Sequence, residues 1–282
     1  MASPTDESFP QTVQNGAVWA KIAVSFLESP RPLTYCVAIA TEQGLILASD
    51  SRTNAGPDQL STFSKLHVLM EGGGRFFVLL AAGNLATTQA VRAQVRRHLE
   101  YGDEPNLTTV RSMGEAAEYL GAISVEVRRR HAEGPEQEAD LSATFILGGQ
   151  IDGREPGIYL IYPEGNYIRS SRLTSYLQIG ELKYGKPILD RVVRQDMRLD
   201  DAARVALLSM DAAMRSNVTV GPPIELIAYE TDSFKRKWHR IFGEDDSYMR
   251  VLRSTWQTTI ERAFRRLPEL PKPAAMPRVD DE

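Results

Sequence analysis

The sequence predicts an α+β domain in which antiparallel strands pack as sheets covered by helices. Short β-rich runs come in pairs joined by polar turns, and helical stretches also come in pairs, set between the strand groups. The 282 residues, 42% of them hydrophobic and 25% charged, are enough for one large domain or two small ones with a sizeable core.

Residues 1–33 carry Pro4, Pro10, Pro30 and Pro32 without a sustained period, and are expected to be an extension outside the fold. At Thr34 the texture changes. TYCVAIA (34–40) and GLILAS (44–49) read as strands around the turn Glu42-Gln43-Gly44, followed by a polar loop from Ser51 to Thr62. Residues 65–70 and 75–82 form a second hairpin about Gly72-Gly73-Gly74, a triplet that lacks the Lys-Ser/Thr of a phosphate loop.

Two helices follow, 85–100 and 113–133. The first places Leu85, Gln89, Val91, Val95 and Leu99 near one face. Strands at 144–151 and 157–162 flank Asp152-Gly153, and helices begin near Pro187 and cover 201–216. Residues 224–229 read as the last strand and Lys235-Arg236-Lys237 as a solvated turn. A final amphipathic helix in 243–267 carries Met249, Leu252, Trp256, Ile260 and Phe264 as one apolar stripe among arginines. It docks on its own domain or serves a subunit interface. Residues 268–282 read as a disordered tail.

The formal net charge of −4 leaves no basic footprint for nucleic acid or anionic lipid. No apolar stretch reaches the ~18–20 residues of a membrane span. The apolar run 17–27 is broken by Lys21 and preceded by Asp6 and Glu7, unlike a secretion signal. The single cysteine, Cys36, suits a reducing cytoplasm, the expected location. His67, His98, His131 and His239 share no ligand spacing, so no metal is expected.

Four strand ends carry the candidate chemistry. Thr34 opens the first strand, Asp50 closes the second, Lys65 opens the third and Gly83 closes the fourth. Taken singly each is an ordinary strand-end or turn residue. Converging at one sheet edge, they are the parts of an amide hydrolase. A threonine hydroxyl needs a base, and a free α-amino group on the same residue, of ordinary pKa about 7.7–8.0, can serve. An ammonium at Lys65 favours the neutral amine, Asp50 orients Lys65, and the Gly83 N–H can face a developing oxyanion.

The segment TYCVAIATEQGLILASDSRTNAGPDQLSTFSKLHV, with VLLAAGNLATTQAV and IGELKYGKPILDR after it, resembles the proteasome β-type subunits, and most closely a bacterial homologue of them. The likeness extends from Thr34 to about Glu230. It implies a four-layer αββα sandwich of the N-terminal nucleophile hydrolase class, with the hydrolase domain spanning 34–242. It also implies Thr34 as nucleophile through its own α-amine, Asp50 and Lys65 as the supporting pair, and Gly83 as the oxyanion donor. Where the family has a Gly-Ser-Gly turn whose serine supports the threonine amine, this chain has Gly180-Glu181-Leu182. Glu181 either substitutes or faces solvent. A later Asp-x-x-Ser-Gly-Gly element maps loosely onto RSNVTVG (215–221), making Ser216, Asn217 and Thr219 second-tier candidates.

The resemblance implies a ring-like or open-spiral assembly of identical chains acting on peptides or unfolded proteins, with no cofactor and with any partner unfoldase unnamed. With residues 1–33 attached, the Thr34 nitrogen is an amide and no base. Initiation at residue 33, with removal of the initiator methionine, frees it. Self-cleavage is disfavoured by Pro32-Leu33 in place of the usual glycine, and a retained extension makes the chain an inactive scaffold. The alternatives to a peptidase are a non-catalytic structural subunit, against which Thr34, Asp50 and Lys65 together argue, and a small-molecule amidase of the same nucleophile class.

Overall fold

In the computed structural model residues 34–54, 60–133 and 140–271 are described; the expected extension 1–33 and most of the expected tail lie outside them. Twelve strands and five helices occur among the described residues. In chain order they are β1 (Tyr35–Thr41), β2 (Gly44–Asp50), β3 (Arg52–Asn54), β4 (Leu60–Thr62), β5 (Leu66–Gly72), β6 (Arg75–Gly83), α1 (Leu85–Tyr101) and α2 (Met113–Ala132). Then come β7 (Ala143–Ile151), β8 (Gly157–Ile161), β9 (Tyr167–Arg169), β10 (Tyr176–Gly180), α3 (Lys186–Val192), α4 (Leu199–Ser216), β11 (Ile224–Glu230), β12 (Arg236–Phe242) and α5 (Ser247–Phe264).

Side-chain alternation along the strands builds the layers. Tyr35, Val37 and Ile39 of β1 meet Ala202, Ala206 and Met210 of α4 on one face. Cys36 and Ala38, one step out of phase, meet Phe76, Val78 and Leu80 of β6 on the other. The opposite face of β6 presents Phe77, Leu79 and Ala81 to Val91 and Val95 of α1 and Leu120 of α2. The layers are therefore α3/α4, sheet, sheet, α1/α2, the expected αββα sandwich. Both faces of each sheet are covered, so the central strands read as unbroken apolar runs such as GLILAS and FFVLLAA. The sheets have strand orders β10-β1-β2-β11-β12 and β5-β6-β7-β8-β9, antiparallel throughout, with β3-β4 a separate ribbon. Phe76 and Tyr229 stack across the sandwich at a 4.2 Å ring-centroid distance.

Several expectations are corrected. The loop expected at 51–62 contains the ribbon β3-β4. The strand expected to be last is followed by β12, which begins inside the expected Lys235-Arg236-Lys237 turn, with Arg236 donating through Nε to Glu71 Oε2 at 2.9 Å. β12 hid because its sequence RKWHRIF is mostly polar, a composition suited to an edge strand exposed on one side. β9 and β10 also go unannounced; β10 owes its conformation to pairing with β1. On α1 the buried face is Thr87, Thr88, Val91, Gln94 and Val95, and Gln89 is exposed because it stands about 200° round the helix from Thr87. The stripe on α5 is buried at Met249 and partly at Leu252 and Trp256, while Ile260 and Phe264 are exposed. Among the described residues no helix is long and apolar enough to cross a membrane.

Candidate active site

The register of the first hairpin pairs Cys36 with Ser49, which sets Asp50 beside the start of β1. Its Oδ1 accepts the backbone N–H of Tyr35 at 3.0 Å and the Lys65 ammonium at 2.7 Å, and its Oδ2 accepts the N–H of Gly221 at 3.3 Å. Lys65 Nζ also donates to the carbonyl of Arg52 at 2.6 Å. Asp50 is fully buried, and Lys65 and Thr34 nearly so. Burial pushes the Asp50 carboxyl above the ordinary carboxylate range, and Lys65 with the two backbone donors offsets part of that shift. A carboxylate so placed costs little only while its three donors stay.

Gly83 ends β6 with φ +106°, and a Cβ there would stand 2.4 Å from the Ser142 carbonyl oxygen, so the position accepts glycine alone. Thr34, Lys65 and Gly83 line one cavity of about 130 Å³ together with Phe63, His67 and Arg92. Thr34 is held from the other side. Its carbonyl accepts the N–H of Glu181 at 2.7 Å, and Gly180, at φ +83°, is packed so closely that an added Cβ would lie 1.8 Å from that carbonyl oxygen.

Glu181 does not face solvent. It is buried, with Oε1 accepting the N–H groups of Lys183 (2.6 Å) and Tyr184 (3.3 Å) and Oε2 accepting Asn217 Nδ2 at 3.0 Å. Asn217 Oδ1 in turn accepts the Thr219 N–H at 3.0 Å and its hydroxyl at 2.7 Å. Three of the four second-tier candidates thus form one hydrogen-bonded network anchored to the residue that holds Thr34. Ser216, the fourth, ends α4 exposed and has no place in the network.

Cys36, two residues after Thr34, is buried in the inter-sheet core, where burial pushes its thiol far up and keeps it an inert neutral group. Residues that sequence reasoning passed over are Gly221, whose N–H reaches Asp50, and the pair His67 and Arg92. A signal for His67 existed: it is two residues from Lys65, the spacing that puts side chains on one side of an extended chain, and both line the cavity. Burial and the neighbouring Arg92 guanidinium push the His67 imidazole down to about 4.

A family model of proteasome subunits matches residues 34–228. A structure of Anbu from Yersinia bercovieri, described as an ancestral beta-subunit, is similar with TM-score 0.79 at 44% identity, over 84% of this chain and 100% of that one. The helical assembly of the Anbu complex from Pseudomonas aeruginosa is similar with TM-score 0.80 at 41% identity, over 85% of this chain and 99% of that one. A proteasome subunit beta from Methanosarcina mazei is 24% identical over 151 residues, 48% of this chain and 71% of its own length.

Proposed function

This chain belongs to the proteasome-subunit family, and we propose that it is a threonine peptidase whose nucleophile is Thr34, working in an assembly of its own copies. The observation that carries the reading is the fully buried Asp50 carboxylate, tied at once to Lys65 and to the first backbone N–H of β1. That arrangement fixes a cation and the Thr34 backbone relative to one another, which a solvated strand end does not need.

The reaction needs the α-amine of Thr34 free, so the working chain begins at residue 34. The neutral amine takes the proton from Thr34 Oγ1 as the oxygen attacks the substrate carbonyl, with the Lys65 ammonium holding the amine's proton affinity down. The negative charge on the carbonyl oxygen is met by the N–H of Gly83. The amine then hands its proton to the leaving nitrogen, which departs and leaves an ester on Thr34. Water, deprotonated by the same amine, attacks that ester, and the protonated amine returns the proton to Oγ1 as the acid product leaves. Glu181, Asn217 and Thr219 take the place of the serine-bearing turn as positioning residues for the Thr34 backbone.

Substrates in this reading are peptides or unfolded chains, in the cytoplasm. Self-assembly is supported by the exposed apolar residues Val251, Ile260 and Phe264 of α5 and by the helical assembly of the Pseudomonas relative. The test is N-terminal sequencing of protein from its host together with an epoxyketone probe, which captures a threonine through its hydroxyl and its free amine. The expected result is a chain starting at Thr34 that is labelled there, and a Thr34→Ala variant that is not. Active enzyme starting at Met1, or equal labelling of both proteins, would refute the nucleophile.

A further inference from the structure

Beside Thr34 the described lining of the cavity is cationic. Arg52, Lys65 and Arg92 all contribute to it, and among the described residues no Asp or Glu does. One of these charges is already neutralised, that of Lys65 by Asp50. Arg52 forms no ion pair with a carboxylate among the described residues and donates to the carbonyl of Val218 at 2.9 Å. Arg92 donates to no backbone carbonyl among them. It is partly buried, and its partner is the ring of His67, with its Nη1 at 2.9 Å from Nδ1. Among the described residues it forms no ion pair with a carboxylate. A guanidinium can only donate, so the imidazole nitrogen facing it accepts and the ring is neutral.

The elements place this pair for recognition rather than for core packing. His67 of β5 lines the cavity with Lys65, which immediately precedes that strand, and Arg92 follows Leu85, Thr88 and Gln89 along the face of α1 that borders the cavity. Leaving a partly buried guanidinium without a counterion is costly, and the cost is recovered when a ligand brings the carboxylate. The size sets a limit. A cavity of about 150 Å³ takes benzene, so the 130 Å³ here holds one side chain.

We propose that this cavity selects an acidic side chain, so that the residue donating the scissile carbonyl is aspartate or glutamate, with Arg92 as the specificity-determining group and His67 orienting it. The proposal rests on the hydrolase reading above. Charge-assisted hydrogen bonding to Arg92 predicts a preference on the order of tenfold to a hundredfold for a carboxylate over its neutral isostere.

The experiment uses four N-acetylated peptide amides identical except for Glu, Gln, Leu or Lys before a fluorogenic amine. Their kcat/KM values are measured on wild type, Arg92→Gln and Arg92→Glu, and the binding of the same peptides is measured on Thr34→Ala by calorimetry. Glu is expected to exceed Gln by at least tenfold, Arg92→Gln to bring that ratio near one, and Arg92→Glu to favour Lys. Equal use of Glu and Gln by wild type, or a ratio that Arg92→Gln leaves in place, overturns the proposal and leaves the peptidase standing. If no peptide is cleaved but Thr34→Ala still binds Glu over Gln through Arg92, the pocket stands and the peptidase reading falls. Unfolding midpoints of both Arg92 variants, expected near wild type because Arg92 is only partly buried, separate loss of selectivity from loss of fold.

Discussion

Replacing Gly180 by alanine should disable Thr34 without touching any group that takes part in the chemistry. A Cβ at residue 180 would stand 1.8 Å from the carbonyl oxygen of Thr34 and 2.6 Å from its carbonyl carbon, both backbone atoms. Cβ atoms do not approach such atoms closer than 3.0 Å, so residue 34 and β10 must part by about 1.2 Å. The shift breaks the bond from the Glu181 N–H to the Thr34 carbonyl, worth about 1 kcal/mol. The left-handed φ of +83° adds about 1–2 kcal/mol for any residue with a Cβ. A misplacement of about 1 Å at a reacting group costs on the order of 10²-fold in rate. The expected result is a folded protein destabilised by about 2–3 kcal/mol whose epoxyketone labelling of Thr34 slows by about two orders of magnitude. Gly153→Ala is the control. Its φ of +69° carries the same backbone penalty, but nothing lies within 4 Å of the added Cβ, so stability should fall by about 1–2 kcal/mol with labelling unchanged. Wild-type labelling by a folded Gly180→Ala protein would refute the claim that this contact positions Thr34.

The buried ion pair gives a second prediction. Lys65→Met leaves the fully buried Asp50 with only two backbone donors and should cost about 3–5 kcal/mol in urea unfolding, while abolishing Thr34 labelling; unchanged stability would mean that the Tyr35 and Gly221 N–H groups suffice. The third concerns His67. The unfolded imidazole takes a proton near 6.5 and the folded one only near 4, so the unfolded chain binds more protons in between. Stability due to this residue is therefore present above pH 6.5 and lost as pH falls towards 4, by at most about 3 kcal/mol. His67→Asn should flatten that part of the stability–pH curve, and an unaltered curve would show that the ring is not held neutral.

Much of the fold was legible because the central strands and helices announce themselves locally. β1, β2, β6, β7 and β11 are buried on both faces, and their apolar runs end at recognisable turns such as Gly72-Gly73-Gly74. The elements that were missed are those whose conformation comes from partners. β10 has its shape from pairing with β1, and β12 is a basic edge strand whose ladder to β11 is invisible in its composition. At the site, Thr34, Asp50, Lys65 and Gly83 could be named because each falls at a strand end within a run of specific blocks. Glu181 could not be decided from sequence, since a glutamate after a glycine reads equally well as solvated. Its burial against Asn217 joins residues 36 positions apart.

The sequence by itself determined the layer-forming strands, the helix pairs and the family to which the chain belongs, all of which depend on local periodicity and contiguous motifs. Only the tertiary structure decided what surrounds Thr34. The three donors on Asp50 come from residues 35, 65 and 221, and the cavity from two strand ends and a helix face. Those groups meet through the sandwich, and distance along the chain carries no information about it. The uncompensated charge of Arg92 is of the same kind. It is an ordinary arginine among several on a helix until the fold turns it, with His67, towards a cavity that no acidic side chain lines among the described residues.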